Sequence, residues 1–266
     1  MSYTPTSADI AKLREMTNCG LLDCKKALVE KGGNFDDAAD HLRKQGLAKA
    51  AKKADREAKE GMIALSTDGK SGSLVQLSCE TDFVANNERF QGVLKSFAAE
   101  VAALKANGDV TESFGASKND ELVSLIHTIG ENMKVVVAAK WEAAAGCTIG
   151  SYLHGNSKVG VIVEVEGEIA PETLKALGMH IAAYKPSYLC PACIPEADTA
   201  REKEVQAEKT KGKPEAMAAK ILEGALNKWH SDVCLVKQAW IHDDKVTVEK
   251  ALGKAKITRF LLAKVG

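Results

Sequence analysis

Four residues in the last third of the sequence carry side chains that can bind metal or exchange electrons. Two residues separate Cys190 from Cys193, and three separate His230 from Cys234. Tetrahedral zinc sites use these ligands at such spacings, and a Cys-x-x-Cys pair is also the unit of thiol redox chemistry. Cysteines more often serve as small apolar residues in a core. The spacing leaves all three roles open and favours packing, so we expect no metal site.

The other residues that could do chemistry form no known catalytic pattern. The sequence lacks a phosphate-binding loop, a dinucleotide-binding glycine motif, a nucleophile elbow and the metalloprotease helix motif. Four histidines have no Ser or Cys arranged as nucleophile and base beside them, so we expect them to be packed or surface residues: His127, His154, His180 and His242. We expect no enzyme, no catalytic residue and no cofactor.

One short segment has the composition of a protein-binding loop. Thr81, Asp82, Phe83 and Val84 follow a predicted strand that ends at Glu80, and a predicted helix follows them. Asp82 can cap that helix and Phe83 can pack against it as a hydrophobic staple, which would make both residues structural. An aromatic ring beside a carboxylate on a rigid turn is also suited to a partner's groove. The residues alone leave both interpretations open.

Three short helices are predicted in the first 46 residues. Thr6 or Ser7 can cap the first helix, Gly20 follows its end, and the second runs to the glycines at 32–33. Asn34 can cap the third, for which Gly46 predicts the end. Seven basic residues lie within residues 43–59, separated mainly by alanines. This composition predicts an exposed helical linker, which is either solvated or available to an acidic partner.

Beyond residue 60, the apolar pattern predicts two β-hairpins with helices after each. The hairpins pair residues 62–65 with 74–79 and 149–154 with 159–165, and strands are also predicted at 133–141 and 257–265. Helices are predicted at 87–106, 120–129 and 171–183. Residues 72–80 align with residues 160–168, which indicates two related subdomains. Residues 196–228 have few large apolar side chains, and a Gly-Lys-Pro-Glu break predicts two antiparallel helices forming a protruding arm.

These elements predict an α+β fold with five segments. They are an N-terminal helical module and linker (1–54), core subdomain N (55–141), a first part of core subdomain C (142–194), the helical arm (195–229) and the second part of subdomain C (230–266). Three helices alone form a marginal core, so the N-terminal module is expected to lean on a partner or on the rest of the chain.

Composition narrows the class of protein further. The 266 residues contain 36 basic and 36 acidic side chains, and this balance argues against a nucleic-acid-binding protein. We expect no membrane span and no signal peptide, because neither a long apolar run nor a basic start with an apolar stretch occurs. Seven scattered cysteines in a chain of this size favour free thiols in a reducing cytoplasm.

Two long motifs make the sequence resemble a known family, the bacterial elongation factors Ts. The first is Leu-Arg-Glu-Met-Thr at 13–17 with Gly-Leu-Leu-Asp-Cys-Lys-Lys-Ala-Leu at 20–28, and the second is Cys-Glu-Thr-Asp-Phe-Val-Ala at 79–85. Shorter matches occur at 129–132, 150–155 and 180–186. The matches run in the family's order over essentially the whole chain.

The resemblance implies guanine-nucleotide exchange on the GTPase elongation factor Tu in the cytoplasm, with a ubiquitin-associated-like N-terminal module. It implies that Asp82 and Phe83 enter the GTPase near its Mg²⁺ site, with Thr81 and Val84 beside them. The other residues that it places against the GTPase are Arg14, Leu21, Leu22, Lys25, Ile129, Gly130 and His154. A homodimer through the arm is a further expectation.

Some residues depart from the family pattern. Asn18 and Cys19 replace a small pair before Gly20, and Cys190 and Cys193 have no family role. We expect no C-terminal helical module after residues 259–260, so the contacts that such a module makes in some family members are not transferred. Two other functions remain open: a binding adaptor without exchange activity, and a zinc or thiol protein.

Overall fold

Two bodies make up the part of the chain that the computed structural model describes, residues 3–17, 19–210 and 213–266. Unit 1 holds the described residues up to Ala64 together with Ser73–Lys140 and Lys264–Gly266. Unit 2 holds Leu65–Gly72 and Trp141–Ala263. Helices and antiparallel strand pairs occur together in this α+β structure, as the sequence predicts.

Three helices begin unit 1: α1 (Ser7–Thr17), α2 (Leu21–Glu30) and α3 (Phe35–Ala51). Thr6 and Asp9 cap the first reciprocally, since each side chain accepts the other residue's backbone N–H. The side chain of Asn34 caps α3 by accepting the N–H groups of Asp36 and Asp37. These starts agree with the prediction; Asn18, in the expected departure from the family pattern, lies outside the described residues.

The predicted end of the third helix at Gly46 is wrong. Helix α3 continues to Ala51, and Gly46 is buried within it. A β-carbon at Gly46 would lie 3.2 Å from Cγ1 of Val123 on α7 (Asn119–Ile129), so the glycine allows the two helices to approach closely. The prediction failed because a glycine inside a helix costs only about 1 kcal/mol, which packing offsets.

The predicted linker is helical as far as Ala51 and mostly exposed, and three of its basic residues also bind partners within unit 1. Arg43 pairs with Asp120 at 2.8 Å between a guanidinium nitrogen and Oδ2. Farther along, Lys53 donates to the carbonyl oxygen of Gly130, and Arg56 lies 3.5 Å from Oε1 of Glu80. The segment therefore fastens the N-terminal helices to the sheet-bearing part of unit 1.

A four-stranded sheet in the order β1-β2-β4-β3 follows these helices. Its strands are β1 (Glu60–Thr67), β2 (Ser71–Cys79), β3 (Gly108–Asp109) and β4 (Lys134–Glu142), and the helices beside them are α4 (Asp82–Ala85), α5 (Glu88–Ala103), α6 (Thr111–Ser117) and α7. Phe90, Phe97 and Leu77 are fully buried in the core of this region. The first predicted hairpin is confirmed, whereas β3 and α6 were not predicted.

Unit 2 contains a second, three-stranded sheet in the order β5-β6-β9. Its elements are β5 (Cys147–His154), β6 (Val159–Glu166), α8 (Pro171–Tyr184), β7 (Ala239–Trp240), β8 (Asp243–Thr247), α11 (Val248–Ala251) and β9 (Lys256–Lys264). Strands β5 and β6 pair in antiparallel register from Cys147 opposite Glu166 to His154 opposite Val159. The second predicted hairpin is thus confirmed, and Leu177 and Ile181 of α8 are fully buried beside its valines.

Between these elements of unit 2 lies the predicted arm, formed by α9 (Glu196–Ala207) and α10 (Glu215–Val233). The two helices pack on each other, and neither contributes a buried residue. Of the predicted break, Gly212 lies outside the described residues. Within the described ranges, no helix is long and apolar enough to cross a membrane.

A buried carboxylate in unit 2 joins both edges of its sheet. Glu164 on β6 accepts the backbone N–H of Ala144 at 3.0 Å and the hydroxyl of Thr258 at 2.7 Å, and Arg259 forms an ion pair with it at 3.0 Å. Burial alone would raise the pKa of Glu164, but these three donors together hold that pKa below its usual value. The group therefore stays charged and holds the first part of β9 in place.

Candidate functional site

The segment at residues 81–84 forms a sharp turn between β2 and α5. Thr81 caps the single-turn helix α4, with its hydroxyl oxygen 3.4 Å from the N–H of Val84. The interpretation of Asp82 as the cap of the following helix is wrong: Asp82 is the first residue of α4, and α5 is capped by Asn87, whose Oδ1 accepts the N–H of Arg89 at 2.9 Å. Val84 packs partly against the core and Ala85 is fully buried, so the turn is anchored from its far side.

Phe83 points away from this core. It is 85% exposed, more than any other large apolar side chain in the described part of the chain. The interpretation of Phe83 as a staple is wrong, because a staple would be covered by its helix. An exposed phenyl ring on a well-anchored turn is an unusual use of an aromatic residue, and such rings commonly mark binding sites.

The carboxylate of Glu131 holds the turn in shape. Its Oε2 accepts the backbone N–H groups of Glu80 and Thr81, each at 3.0 Å, and its Oε1 accepts the hydroxyl of Thr81 at 2.6 Å. Hydrogen bonds to an ionised acceptor are among the stronger ones in proteins. Three of them converge immediately before Asp82 and Phe83, which restricts the direction in which these two side chains leave the core.

A second set of bonds connects the same turn to the N-terminal helices. Oε1 of Glu80 accepts the N–H of Asn132 at 2.6 Å, and the buried Asn132 amide donates to the carbonyl oxygens of Ala54 and Arg56. Residues 53–56, 80–81 and 130–132 thus form one hydrogen-bonded junction, called the three-segment junction below. It couples the chain entering β1 to the turn that carries Phe83.

Ile129 and Gly130 lie at the end of α7, directly before Glu131. Ile129 is half-buried against the core, and Gly130 is exposed with a φ of +95°, a value that favours glycine and ends the helix. Both residues therefore adjoin the three-segment junction. The structure brings this pair together with residues 80–81.

A separate exposed surface lies on the N-terminal helices of unit 1. Leu21 and Leu22 begin α2 and are 55% and 73% exposed, while Arg14 and Lys25 present exposed basic groups on α1 and α2. Two leucines at a helix start with cations nearby resemble the apolar centre and charged rim of a protein interface. The four residues belong to one three-helix module.

His154 lies apart from this group in the chain, at the exposed end of β5 in unit 2. The hydroxyl of Tyr152 and Nδ1 of His154 are 3.0 Å apart, and the two rings stack. Asn156 and Ser157, in the turn that follows, both have positive φ values. The imidazole is therefore held against Tyr152 at the hairpin tip with its edge exposed.

The remaining histidines take the structural roles expected of them. Burial lowers the pKa of His127, and Asp23, whose carboxylate lies 3.2 Å from Nε2 of His127, opposes that shift only in part. Burial likewise lowers the pKa of His180, which stacks between Tyr184 and Trp240. Both imidazoles are therefore packed in the interior.

The expectations for the cysteines are met for some of them and wrong for one pair. Cys19, Cys24, Cys79 and Cys234 are buried, as packing residues should be. Cys190 and Cys193 are joined in a disulfide, so the expectation of free thiols is wrong for this pair. Among the residues described, no group of three or more His, Cys, Asp or Glu side chains is arranged to hold a metal ion.

Reasoning from sequence missed the residues that support the turn. Glu131, Asn132 and Glu80 occur in quoted motifs, but no role could be assigned to them, because their partners are about 50 or more positions away. A polar Glu-Asn pair following a glycine helix end was the available signal. Such a pair predicts a cap or a brace, but not which segment it holds.

Comparison with known proteins agrees with the motifs. A family model described as elongation factor TS matches residues 80–266. The elongation factor Ts of Rhodopseudomonas palustris strain BisB5 is 44% identical over 268 residues, which cover 95% of this chain and 85% of that protein. That of Nitratidesulfovibrio vulgaris strain DP4 is 41% identical over 280 residues, covering 97% and 95%.

A third relative extends the same result. The elongation factor Ts of Maricaulis maris strain MCS10 is 40% identical over 270 residues, covering 94% of this chain and 86% of that protein. The relatives include the N-terminal helices that precede the family-model match. Since the model covers well over half of the sequence and these relatives align with nearly all of it, the chain belongs to the elongation factor Ts family.

Proposed function

We propose that the chain is the guanine-nucleotide exchange factor of elongation factor Tu in translation elongation, and that Asp82 and Phe83 carry the exchange step. The observation that supports this most strongly is the exposed Phe83 ring on a turn braced by Glu131. A ring left in water costs free energy that burial in a partner recovers. Translation elongation is cytoplasmic, so we expect the chain to act there.

Exchange requires differential affinity rather than covalent catalysis. A GTPase holds GDP through its phosphate loop and a Mg²⁺ ion, and a partner releases the nucleotide only by binding the nucleotide-free form more tightly. Accelerating GDP release about 10³-fold requires that the barrier fall by about 4 kcal/mol. A buried hot-spot aromatic contributes about 2–4 kcal/mol, so Phe83 and a few polar contacts suffice.

Each element of the proposal has a physical task. The Phe83 ring enters the GTPase between its helices, and the Asp82 carboxylate accompanies it near the Mg²⁺ and phosphate site. Because the turn is already ordered by Glu131, little conformational entropy is lost when the ring is buried. GTP binding then displaces the factor, which completes one cycle without a covalent intermediate.

The other exposed residues supply affinity in this proposal. Leu21 and Leu22 are large apolar groups that a partner can cover, and Arg14 and Lys25 add charge at the rim. His154 provides a further contact from unit 2. Ile129 and Gly130 adjoin the turn and border the same surface as Thr81 and Val84.

The test is stopped-flow release of a fluorescent GDP from elongation factor Tu, with Phe83→Ala compared against Leu104→Ala. Leu104 is also an exposed apolar residue of unit 1, but it follows α5, away from the motif. Phe83→Ala should slow exchange tenfold or more, since truncating a hot-spot aromatic costs about 2–4 kcal/mol. The control should exchange at the wild-type rate.

Thermal unfolding of the same variants completes the test. Phe83→Ala should unfold at nearly the wild-type temperature, because the ring contacts little of its own chain. Asp82→Ala should reduce exchange less. Normal exchange by a Phe83→Ala protein would refute the assigned role, and failure of the wild-type chain to accelerate GDP release would favour a binding adaptor instead.

A further inference from the structure

We propose that Cys190 and Cys193 form a reversible thiol–disulfide site at the base of the arm, open to exchange with thiols in solution. The site is independent of the proposed nucleotide exchange. Three observations carry it: the pair is joined in a disulfide, it is more accessible than the buried cysteines, and its turn lies between the core of unit 2 and α9.

The backbone presents the two sulfurs to each other. Residues Pro191–Cys193 form a single 3₁₀ turn, in which the N–H of Cys193 donates to the carbonyl oxygen of Cys190 at 2.9 Å. The Cα atoms of the two cysteines are 5.2 Å apart, within the usual range for a disulfide. Since this hydrogen bond does not involve the sulfurs, the turn can keep reduced thiols close enough to close the bond again.

Accessibility separates this pair from the buried cysteines. Cys193 is exposed and Cys190 half-exposed, while burial raises the thiol pKa of Cys19, Cys24 and Cys234. A thiol reacts as its thiolate, so burial makes those three groups slow. Cys193 is therefore the sulfur that an incoming thiolate reaches first.

The position of Cys190 and Cys193 links their oxidation state to the arm, because the neighbouring residues contact both arm helices. Tyr188, two residues before Cys190, donates its N–H to the carbonyl oxygen of Val233, and its own carbonyl oxygen accepts the N–H of Leu235. These two bonds tie the segment before the disulfide to the end of α10. Its hydroxyl donates to Asp198 in the first turn of α9. The side chain of Ile194 is buried directly after the pair. The closed disulfide restrains residues 190–193, which lie between the two anchors Tyr188 and Ile194.

The chemistry balances with a dithiol as reductant. Its first thiolate attacks Sγ of Cys193, a mixed disulfide forms, and Cys190 leaves as a thiolate that takes up a proton. The second thiol of the reductant then attacks the mixed disulfide and releases Cys193. Two electrons pass to the chain, and the reductant ends as a disulfide. Oxidation reverses these steps with a disulfide such as oxidised glutathione as the acceptor.

The first experiment titrates the full chain with mixtures of reduced and oxidised glutathione, and separately of reduced and oxidised dithiothreitol. Samples are quenched with an alkylating reagent and weighed intact, so that each free thiol adds one alkyl group. We expect a transition that adds two groups and maps to Cys190 and Cys193, and Cys147→Ser should leave it unchanged. A pair that stays fully closed or fully open across both series overturns the proposal.

The second experiment identifies the attacked sulfur. In Cys190→Ser the exposed Cys193 should form a mixed disulfide with oxidised glutathione about tenfold faster than Cys190 does in Cys193→Ser, since accessibility controls the rate. Circular dichroism of both variants checks that each is folded. Equal or inverted rates overturn the assignment of Cys193. Faster amide exchange in residues 189–198 after reduction of the wild-type chain supports the restraint on the arm, and unchanged exchange refutes it.

Discussion

Replacing Glu131 by Ala removes the acceptor that organises the turn before Phe83. The substitution deletes three hydrogen bonds, two from backbone N–H groups and one from the hydroxyl of Thr81. Each bond to a charged acceptor contributes about 1.5–3 kcal/mol, but Glu131 is only half-buried and water replaces part of the loss. We therefore expect the turn to lose about 2 kcal/mol, a factor of about 30 in its closed-to-open ratio.

Amide hydrogen exchange measures that ratio directly. The N–H groups of Glu80 and Thr81 should exchange about 30-fold faster in Glu131→Ala, and GDP release from elongation factor Tu should slow because Phe83 is less often correctly placed. Glu131→Gln is the matched variant: its amide oxygen can accept both N–H groups while its NH₂ faces the Thr81 oxygen. It should therefore restore most of the protection and most of the exchange rate.

Three outcomes would contradict this reasoning. Unchanged protection of Glu80 and Thr81 in Glu131→Ala would mean that the carboxylate does not hold the turn. If Glu131→Ala lowers thermal stability but leaves GDP release per folded molecule normal, Glu131 stabilises the fold and has no role in exchange. Equal defects in Glu131→Gln and Glu131→Ala would point to the charge itself rather than to the hydrogen-bond geometry.

Other parts of the chain give further predictions. Glu164→Gln should destabilise the protein by about 1–3 kcal/mol at pH 7, because Arg259 loses its charged partner. The pKa of Glu164 is lower in the folded chain than in the unfolded chain, so the unfolded chain takes up the proton first as the pH falls below about 4.5. The stability that Glu164 contributes is therefore lost as the pH falls. Urea unfolding should show this loss for the wild type but not for Glu164→Gln. Gly46→Leu should cost about 1–3 kcal/mol through overpacking against Val123, measured by thermal unfolding. Deleting residues 1–54 should weaken binding to elongation factor Tu in titrations, while circular dichroism shows a folded remainder.

Local patterns predicted the elements whose causes are local. The caps at Thr6 and Asn34 and the antiparallel hairpins depend on residues a few positions apart, and the structure has them as expected. The end of α3 was missed because it depends on Val123, which lies 77 positions from Gly46. From sequence alone, a glycine predicts a helix end, because the neighbour that requires its small size is not known.

In the candidate site, too, features with local causes could be predicted and features that depend on distant residues could not. Phe83 could be singled out because an aromatic ring in a strand-to-helix turn is unusual, and its exposure in the structure argues against the staple. The cap of the following helix is Asn87 rather than Asp82, because the short helix α4 intervenes between the turn and α5. The Cys190–Cys193 bond depends on the 3₁₀ turn between them, which the spacing alone does not specify.

The three-segment junction has a consequence for avidity. Two binding surfaces joined by a flexible tether act on each other through an effective concentration set by tether length, typically millimolar for a short one. Here Asn132 fixes the carbonyl groups of Ala54 and Arg56, so no freely jointed tether connects α3 to β1. If a GTPase binds both α2 and the Phe83 turn, as proposed, binding at α2 leaves the turn little freedom to search, and the gain in affinity is large for a partner of matching geometry. For a mismatched partner the gain would vanish, so the junction would select among GTPases by the spacing between the two contacts rather than by either contact alone.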